Sequence, residues 1–187
     1  MSEIMNENQD NDMIQVHVAS GERVEFTKEM RKEYTILIPD MLPVHFKLLR
    51  NIFTLHGYRV GLLKNTGRKV VDTGLKYVHN DTCYPALLVI GQMISALQSG
   101  KYDVNKVALM ITQTGGGCRA SNYIHLLRKA LVKAGLGHIP VISLNLSGLE
   151  SNSGFHLTLE MLYQALIGLT YGDLFMLLKN QVRSYEA

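Results

Sequence analysis

Several features that would point to a particular class of protein are missing from this chain of 187 residues. The net charge is only +3, and no Lys/Arg run or basic face with interleaved aromatic residues is present, so nucleic-acid binding has little support. No uninterrupted stretch of about eighteen apolar residues is present, so no membrane span is expected. The first residues lack the basic and apolar regions of a signal peptide. We therefore expect a cytoplasmic protein that binds neither nucleic acid nor membranes.

Cysteine is also scarce, because the chain contains only Cys83 and Cys118. In a cytoplasmic protein, two cysteines are typically free thiols, metal ligands or redox groups rather than a structural disulfide. No CxxC pair is present, and two cysteines supply only half of a four-ligand metal site. The chain also lacks a Walker A sequence, a GxGxxG sequence, and any recognisable Ser-His-Asp order or pair of carboxylates. The chemistry must therefore be sought around the two thiols.

Composition and hydrophobic pattern divide the chain into three parts. Residues 1–13 are rich in Asn, Asp, Glu and Gln and are expected to be a disordered tail or a linker. Residues 14–33 are expected to form an extension outside the core, with a short hairpin over 14–26 and one or two helical turns after it. Residues 34–187 have the regular pattern and the apolar content of a single domain.

The pattern from residue 34 onward predicts an α/β domain. Short apolar segments rich in β-branched residues alternate with helical periodicity, which is typical of a parallel sheet of about four strands covered by helices on both faces. The predicted strands are 34–39, 58–63, 107–111 and 140–144. The predicted helices are 43–56, 70–78, 85–98, 121–134 and 158–182, the last with a bend near Gly172. Ligands of such sheets bind beyond the carboxyl ends of the strands, where the strand order reverses.

The most distinctive motif is a run of three glycines, Gly115, Gly116 and Gly117, followed by Cys118 and Arg119. It lies between the third predicted strand and the following helix. Glycines let the backbone turn sharply and bring its N–H groups close to a ligand. The helix N-terminus adds partial positive charge, which favours a thiolate. The motif therefore indicates thiolate or anion chemistry.

Cys83 has a similar setting, because Pro85 follows it at the start of an apolar segment. Proline is favoured in the first turn of a helix, so Cys83 is also predicted at a helix N-terminus. His79 lies nearby in sequence as a potential ligand or proton donor, although a loop histidine bonded to backbone is the more common case. His125 could face either way on its helix, and His17, His45, His56, His138 and His156 are interpreted as structural or surface residues.

Patterns around these motifs leave several alternatives open. Cys118 could be a small buried residue beside a glycine turn, or a functional thiol. The three glycines could bind a phosphate through backbone N–H groups, with Thr112 and Thr114 adding hydroxyls. Arg119 could pair with a carboxylate or phosphate, or lie solvated on the surface. Met161, Met176 and neighbouring leucines have the spacing of a helix face, and core packing is expected for them.

The two cysteine motifs, with residues 77–86 and 112–123, resemble those of a known family. The resemblance runs from about residue 26 to residue 186 and includes the segment 145–149. It is to large proteins related to the 2-hydroxyacyl-CoA dehydratases and their ATP-dependent activators, a group that includes 2-hydroxyglutaryl-CoA dehydratase and benzoyl-CoA reductase. Members of the family use flavodoxin-like or Rossmann-like α/β domains to hold an oxygen-sensitive 4Fe–4S cluster through cysteines.

This resemblance implies that Cys83 and Cys118 ligate a 4Fe–4S cluster, and that Thr114, Gly115, Gly116, Gly117 and Arg119 contribute to cofactor binding. In the dehydratases an activator uses ATP to deliver a low-potential electron, which converts a CoA thioester into a ketyl radical that eliminates its hydroxyl group. The implied partners are an acyl-CoA and either an activator or further domains of a longer chain. The sequence departs from the family in lacking a third cysteine after Cys118. We therefore expect either a piece of a longer protein that is inactive alone, or a cluster whose coordination is completed by another group.

Three hypotheses follow. The first is the iron–sulfur domain of low-potential electron transfer, with Cys83 and Cys118 as ligands. The second is a flavodoxin-like binding or interaction module that holds a CoA or nucleotide phosphate at the glycine loop without a metal. The third is a redox dithiol, which requires the two sulfurs to approach within disulfide distance.

Overall fold

Four parallel strands form the centre of the protein in a computed structural model that describes residues 23–79, 81–112, 123–144, 153–183 and 185. The strands are β1 (Thr35–Pro39), β2 (Val60–Leu63), β3 (Val107–Thr112) and β4 (Val141–Leu144). The helices within this part of the chain are α1 (Lys28–Glu33), α2 (Pro43–Leu55), α3 (Arg68–Tyr77), α4 (Tyr84–Leu97), α5 (Tyr123–Lys133) and α6 (Leu159–Val182).

The strand order is β2-β1-β3-β4. In the register, Ile36 of β1 lies between Val60 of β2 and Ala108 of β3. The chain therefore moves outward from β1 to β2 and then crosses back over β1 to β3. This reversal places the switch in strand order between β1 and β3, and the crevice beyond their carboxyl ends is the usual ligand position in open α/β sheets.

Alternation along the strands gives the sheet two buried faces. Leu37, Leu109 and Ile111 point to the side covered by α4 and α5, while Ile36 and Met110 point to the side covered by α2 and the start of α6. Each strand is apolar on both faces, as expected for parallel strands between two helix layers. The predicted fold class, a flavodoxin-like or Rossmann-like α/β sheet of about four strands, is confirmed.

The observed elements differ from the predicted ones mainly by one or two residues at their ends. Helix α3 begins at Arg68, before its predicted start, because Gly67 at its N-cap has a positive φ of 92° that turns the chain into the helix. Helix α6 runs without interruption through Gly172, so the predicted bend there is not a break in the helix. Gly172 instead makes room for another helix: a β-carbon at this position would lie 2.6 Å from the ring of His45.

The predicted extension before residue 34 contributes to the core. Residues 14–22 of the predicted hairpin lie outside the described residues, and residues 23–27 form no regular strand. Phe26 is fully buried, packs edge-on against Tyr34, and accepts a hydrogen bond at its carbonyl from the Gly154 N–H at 2.8 Å. The predicted helical turns are present as α1. Phe26 therefore belongs to the same hydrophobic cluster as the β1 residues that face α2.

Helix α6 does not pack as predicted. Met161 is buried, but Met176 is 37% exposed, and the leucines around it are exposed as well. By length and composition, α6 is the one described helix that could cross a membrane, and only 11% of its apolar window is buried. The spacing of Met161, Met176 and the neighbouring leucines predicts a core face, whereas the buried residues of α6 are Met161 and Gly172.

Candidate functional site

Cys83 is the N-cap residue of α4, which confirms the prediction that this thiol lies at a helix N-terminus. Its backbone is extended (φ −57°, ψ 143°), and its carbonyl accepts the first helical hydrogen bond, from the Leu87 N–H at 3.2 Å. Pro85 lies in the first turn, where its missing N–H costs nothing. The first turn contains no acidic residue, so none of its side chains offsets the partial positive charge that the helix presents to the sulfur.

The thiol contacts the helix that follows the glycine motif. Cys83 Sγ lies 3.1 Å from the hydroxyl oxygen of Tyr123, the first residue of α5. Both side chains are partly exposed. A phenol can donate to a thiolate or accept from a thiol, so this contact is compatible with either state of the sulfur. It joins the start of α4 to the start of α5.

A cavity of about 420 Å³ opens beside this contact. Its walls come from the loop before α4 and from the outer side of the first turns of α5, and they include Asp81, Thr82, His125 and Lys129. This volume lies within the range of small-molecule and cofactor sites. His125, whose orientation the sequence left open, lies at the cavity together with the thiol.

The glycine motif itself falls outside the described residues. Thr114, Gly115, Gly116, Gly117, Cys118 and Arg119 all belong to residues 113–122, so their predicted roles stay predictions. What the structure describes are the two ends of this segment: Thr112 closes β3 beside the switch in strand order, and Tyr123 opens α5 against Cys83. The segment therefore starts and ends at the elements that carry the candidate site.

Metal-ligating side chains are sparse in the described part of the chain. Among residues 23–79, 81–112, 123–144 and 153–183, no three His, Cys, Asp or Glu side chains lie close enough together to hold a metal ion. His79 is largely exposed, and its Nδ1 lies 3.3 Å from the backbone N–H of Asp81. This is the backbone-bonded arrangement that the sequence favoured for it. Cys83 is thus the only thiol that the described residues bring to the site.

A second, larger cleft of about 570 Å³ lies at the same edge of the sheet. It is bounded by Asp40 after β1, by Asn65 and Gly67 before α3, and by Tyr84 at the start of α4. The Oδ1 atom of Asp40 is buried and makes no hydrogen bond to any described residue. Asn65 is held in place by Gln92, through one bond to the Gln92 carbonyl at 2.9 Å and one from the Gln92 side chain at 3.0 Å.

Sequence reasoning missed Tyr123 and Lys129 as members of the site. The register of α5 does not group them, because residues two apart lie nearly on opposite sides of a helix. The one signal in the sequence was the position of Tyr123 at the end of the glycine motif. The structural roles that the sequence analysis predicted for His45 and His56 are confirmed. Both side chains hydrogen-bond to α6, at Asp173 Oδ1 (2.9 Å) and Gln164 Oε1 (3.0 Å).

Comparison of the chain with family models, with curated proteins and with solved structures found no match.

Proposed function

We propose that the chain is an iron–sulfur domain of the 2-hydroxyacyl-CoA dehydratase-like family, in which Cys83 and Cys118 ligate a 4Fe–4S cluster. The observation that carries the proposal is the position of Cys83, a partly exposed thiol at a helix N-cap beside a cavity of about 420 Å³ and against the helix that follows the second cysteine. Iron–sulfur clusters are held by cysteine thiolates, and helix N-termini favour such anions.

Two residues beside Cys83 can favour a negatively charged cofactor. The Tyr123 hydroxyl is within hydrogen-bonding distance of the sulfur, and Lys129 lines the same cavity, whose wall also contains the acidic Asp81. Hydrogen bonds to cluster sulfurs and nearby cations stabilise the reduced, more negative state and raise its potential. The remaining ligands would come from Cys118 and from another domain or polypeptide, because this chain has two cysteines.

In this proposal the cluster, when bound, supplies a low-potential electron for a CoA thioester, and an ATP-dependent activator reduces it. The chain's own residues bind the cluster and set its potential. Oxygen-sensitive chemistry of this kind also favours a cytoplasmic setting under anaerobic conditions. The domain alone is not expected to complete the reaction.

The test is anaerobic reconstitution with iron and sulfide, followed by metal analysis, absorption and EPR spectra. With a small thiol in the mixture to stand in for the ligands that this chain lacks, the native chain is expected to take up iron and sulfide, and Cys83→Ala and Cys118→Ala are expected to lose them. Thr82→Ala is the matched control, because Thr82 lines the same cavity without a thiol. Tyr123→Phe is expected to keep the cluster and to lower its potential. Unchanged iron and sulfide content in either cysteine variant would contradict the proposal.

The second candidate is the metal-free module that binds a CoA or nucleotide phosphate. The observation that favours it is the cleft of about 570 Å³ near the switch in strand order, whose volume lies within the range of small-molecule and cofactor sites. Calorimetric titration of metal-free protein with CoA separates the candidates. Binding that survives in Cys83→Ala and is lost in Gly116→Ala would support the second candidate.

A further inference from the structure

One side of helix α6 packs against α2 of the same domain. Gly172 sits against the His45 ring, and Gly168 faces Leu48 and Ile52, with 3.3 Å between the nearest Ile52 atom and a β-carbon placed on the glycine. His45 is buried, and its Nε2 lies 2.9 Å from Asp173 Oδ1. The two glycines therefore let α6 approach α2 closely, and the polar pair fixes its position along that helix.

The opposite side of α6 is apolar and uncovered within the described structure. Positions 163, 167, 170, 174 and 177 follow one another at alternating spacings of four and three residues, which places them in one stripe along the helix. They are Tyr163, Ile167, Thr170, Leu174 and Leu177. The four large apolar residues, all except Thr170, are 40–66% exposed. The Thr170 hydroxyl donates a hydrogen bond to the Leu166 carbonyl at 3.0 Å, so its proton already has a partner within α6.

The exposed apolar area of α6 is comparable to the area that one partner buries in a stable protein–protein interface. Eight large apolar residues of α6 on or beside the stripe have a mean exposure above one half; they are Leu159, Tyr163, Leu166, Ile167, Tyr171, Leu174, Leu177 and Leu178. At roughly 150–200 Å² for a large side chain, they present about 700–900 Å². A typical monomer exposes apolar patches of about 300–600 Å², whereas each partner of a stable complex buries about 800 Å².

The charges on α6 decide between a membrane and a protein as the occupant. Its charged residues are Glu160, Asp173 and Lys179, and Asp173 is paired with His45. A helix lying on a membrane surface carries a row of Lys and Arg on its polar face, which α6 lacks. A helix spanning the membrane would have to leave α2, expose the buried imidazole and carry the Asp173 carboxylate into hydrocarbon. A protein surface of matching apolar character requires none of these changes.

We propose that the outer face of α6 binds α6 of a second copy of this chain, forming a two-fold symmetric homodimer. A two-fold axis brings the same patch of both copies together, and a stripe with alternating four- and three-residue spacing packs well against an identical stripe. Between Glu160 and Lys179 the stripe carries no charge that would repel its own copy. The proposal does not depend on the proposed cluster, whose candidate ligand Cys83 is at the start of α4 and not on α6.

The test is the mass of the full chain in solution, measured by sedimentation velocity and light scattering over a range of concentrations. The native chain is expected to be a dimer, and the double variant Ile167→Glu/Leu174→Glu is expected to weaken dimerisation by on the order of 100-fold or more, because two charges would be buried in each half of the interface. Leu75→Glu is the matched control: Leu75 is 49% exposed on α3, away from α6, and the variant should remain dimeric.

Circular dichroism separates loss of the dimer from loss of the fold. The double variant is expected to keep the native helical signal, since both substituted residues are exposed in one copy. A native chain that is monomeric at all concentrations would overturn the proposal, and so would a dimer that survives the double variant. Co-sedimentation of a monomeric chain with anionic phospholipid vesicles would overturn it in favour of a membrane.

Discussion

Helices α4 and α6 are both strongly apolar, yet the domain buries one and leaves the other largely uncovered. Eleven of the fourteen residues of α4 are buried, whereas only Met161 and Gly172 are buried among the twenty-four of α6. Helix α4 lies between α3 and α5 on one face of the sheet, and α6 packs mainly against α2 on the other. Apolar composition therefore predicts that a helix will be covered, but it does not reveal whether the cover comes from the same chain.

The way in which each helix approaches its neighbour differs as well. At the crossing of α3 and α4, Gly74 and Gly91 bring two backbones together, and a β-carbon on Gly91 would meet the Val70 carbonyl and lie 2.9 Å from the Gly74 nitrogen. At the crossing of α2 and α6, the glycines of α6 face side chains of α2. Side chains can move aside, whereas a backbone in a packed core cannot.

The largest expected difference comes from the same substitution in both helices. Ile90 of α4 is fully buried and Ile167 of α6 is 40% exposed. Ile90→Ala is expected to lower the free energy of unfolding by about 2–5 kcal/mol, because it removes buried methylene groups and leaves a cavity. Ile167→Ala is expected to change it by less than about 0.5 kcal/mol when the protein is monomeric. Urea unfolding at low protein concentration measures both.

The dependence of the stability loss on protein concentration distinguishes the two variants further. At a concentration where the native chain is dimeric, Ile167→Ala should lose more stability than at low concentration, because dimerisation adds to the stability of the native state. The effect of Ile90→Ala should stay the same. A large loss for Ile167→Ala in the monomer would show that α6 is covered within its own chain.

A second, smaller difference is expected at the helix glycines. Gly91→Ala should destabilise the protein by about 1–3 kcal/mol, because the added methyl group meets backbone atoms of α3 and overpacks the crossing. Gly168→Ala, the matched control, meets the flexible end of Ile52 at 3.3 Å and Leu48 Cβ at an ordinary contact distance of 3.7 Å, and it gains helix propensity of up to about 1 kcal/mol. It should be neutral or stabilising in thermal unfolding. Equal losses for both variants would contradict the difference in backbone approach.

The fold was largely predictable because each strand and helix has a local signal. Apolar β-branched segments alternate with helical periodicity from residue 34 onward, and this pattern fixed the class and all four strands. The contribution of Phe26 was not predictable, because a single aromatic residue in a polar segment has no periodicity that places it. The exposure of α6 was not predictable either, since a helical apolar pattern does not identify which chain provides its partner.

The candidate site was predictable only in part. Cys83 at a helix N-cap followed from Pro85, because the ring fixes φ at a value suited to the first helical turn. The contact between Cys83 and Tyr123 could not be foreseen, since it depends on how α4 and α5 pack side by side on the sheet. The pairing of His45 with Asp173 likewise depends on the approach of two helices that are distant in sequence.

The smallest expected effect concerns the segment that leads into α6. Glu25 accepts a hydrogen bond from the backbone N–H of Ser153 at 2.8 Å, and this bond lowers the pKa of its carboxyl group below the ordinary value of 4.5. A group whose pKa is lower in the folded state stabilises the protein above the unfolded value and loses that contribution as the pH falls through the folded value. Below about pH 4.5, hydrogen exchange of the neighbouring Gly154 amide should therefore accelerate in the native chain more than in Glu25→Gln.

Because Glu25 is exposed, the effect should be small and should weaken in high salt, while amides of α4 should respond equally in both proteins. An identical pH response of Gly154 in the two proteins would show that this carboxylate does not help to hold the α6 side of the sheet.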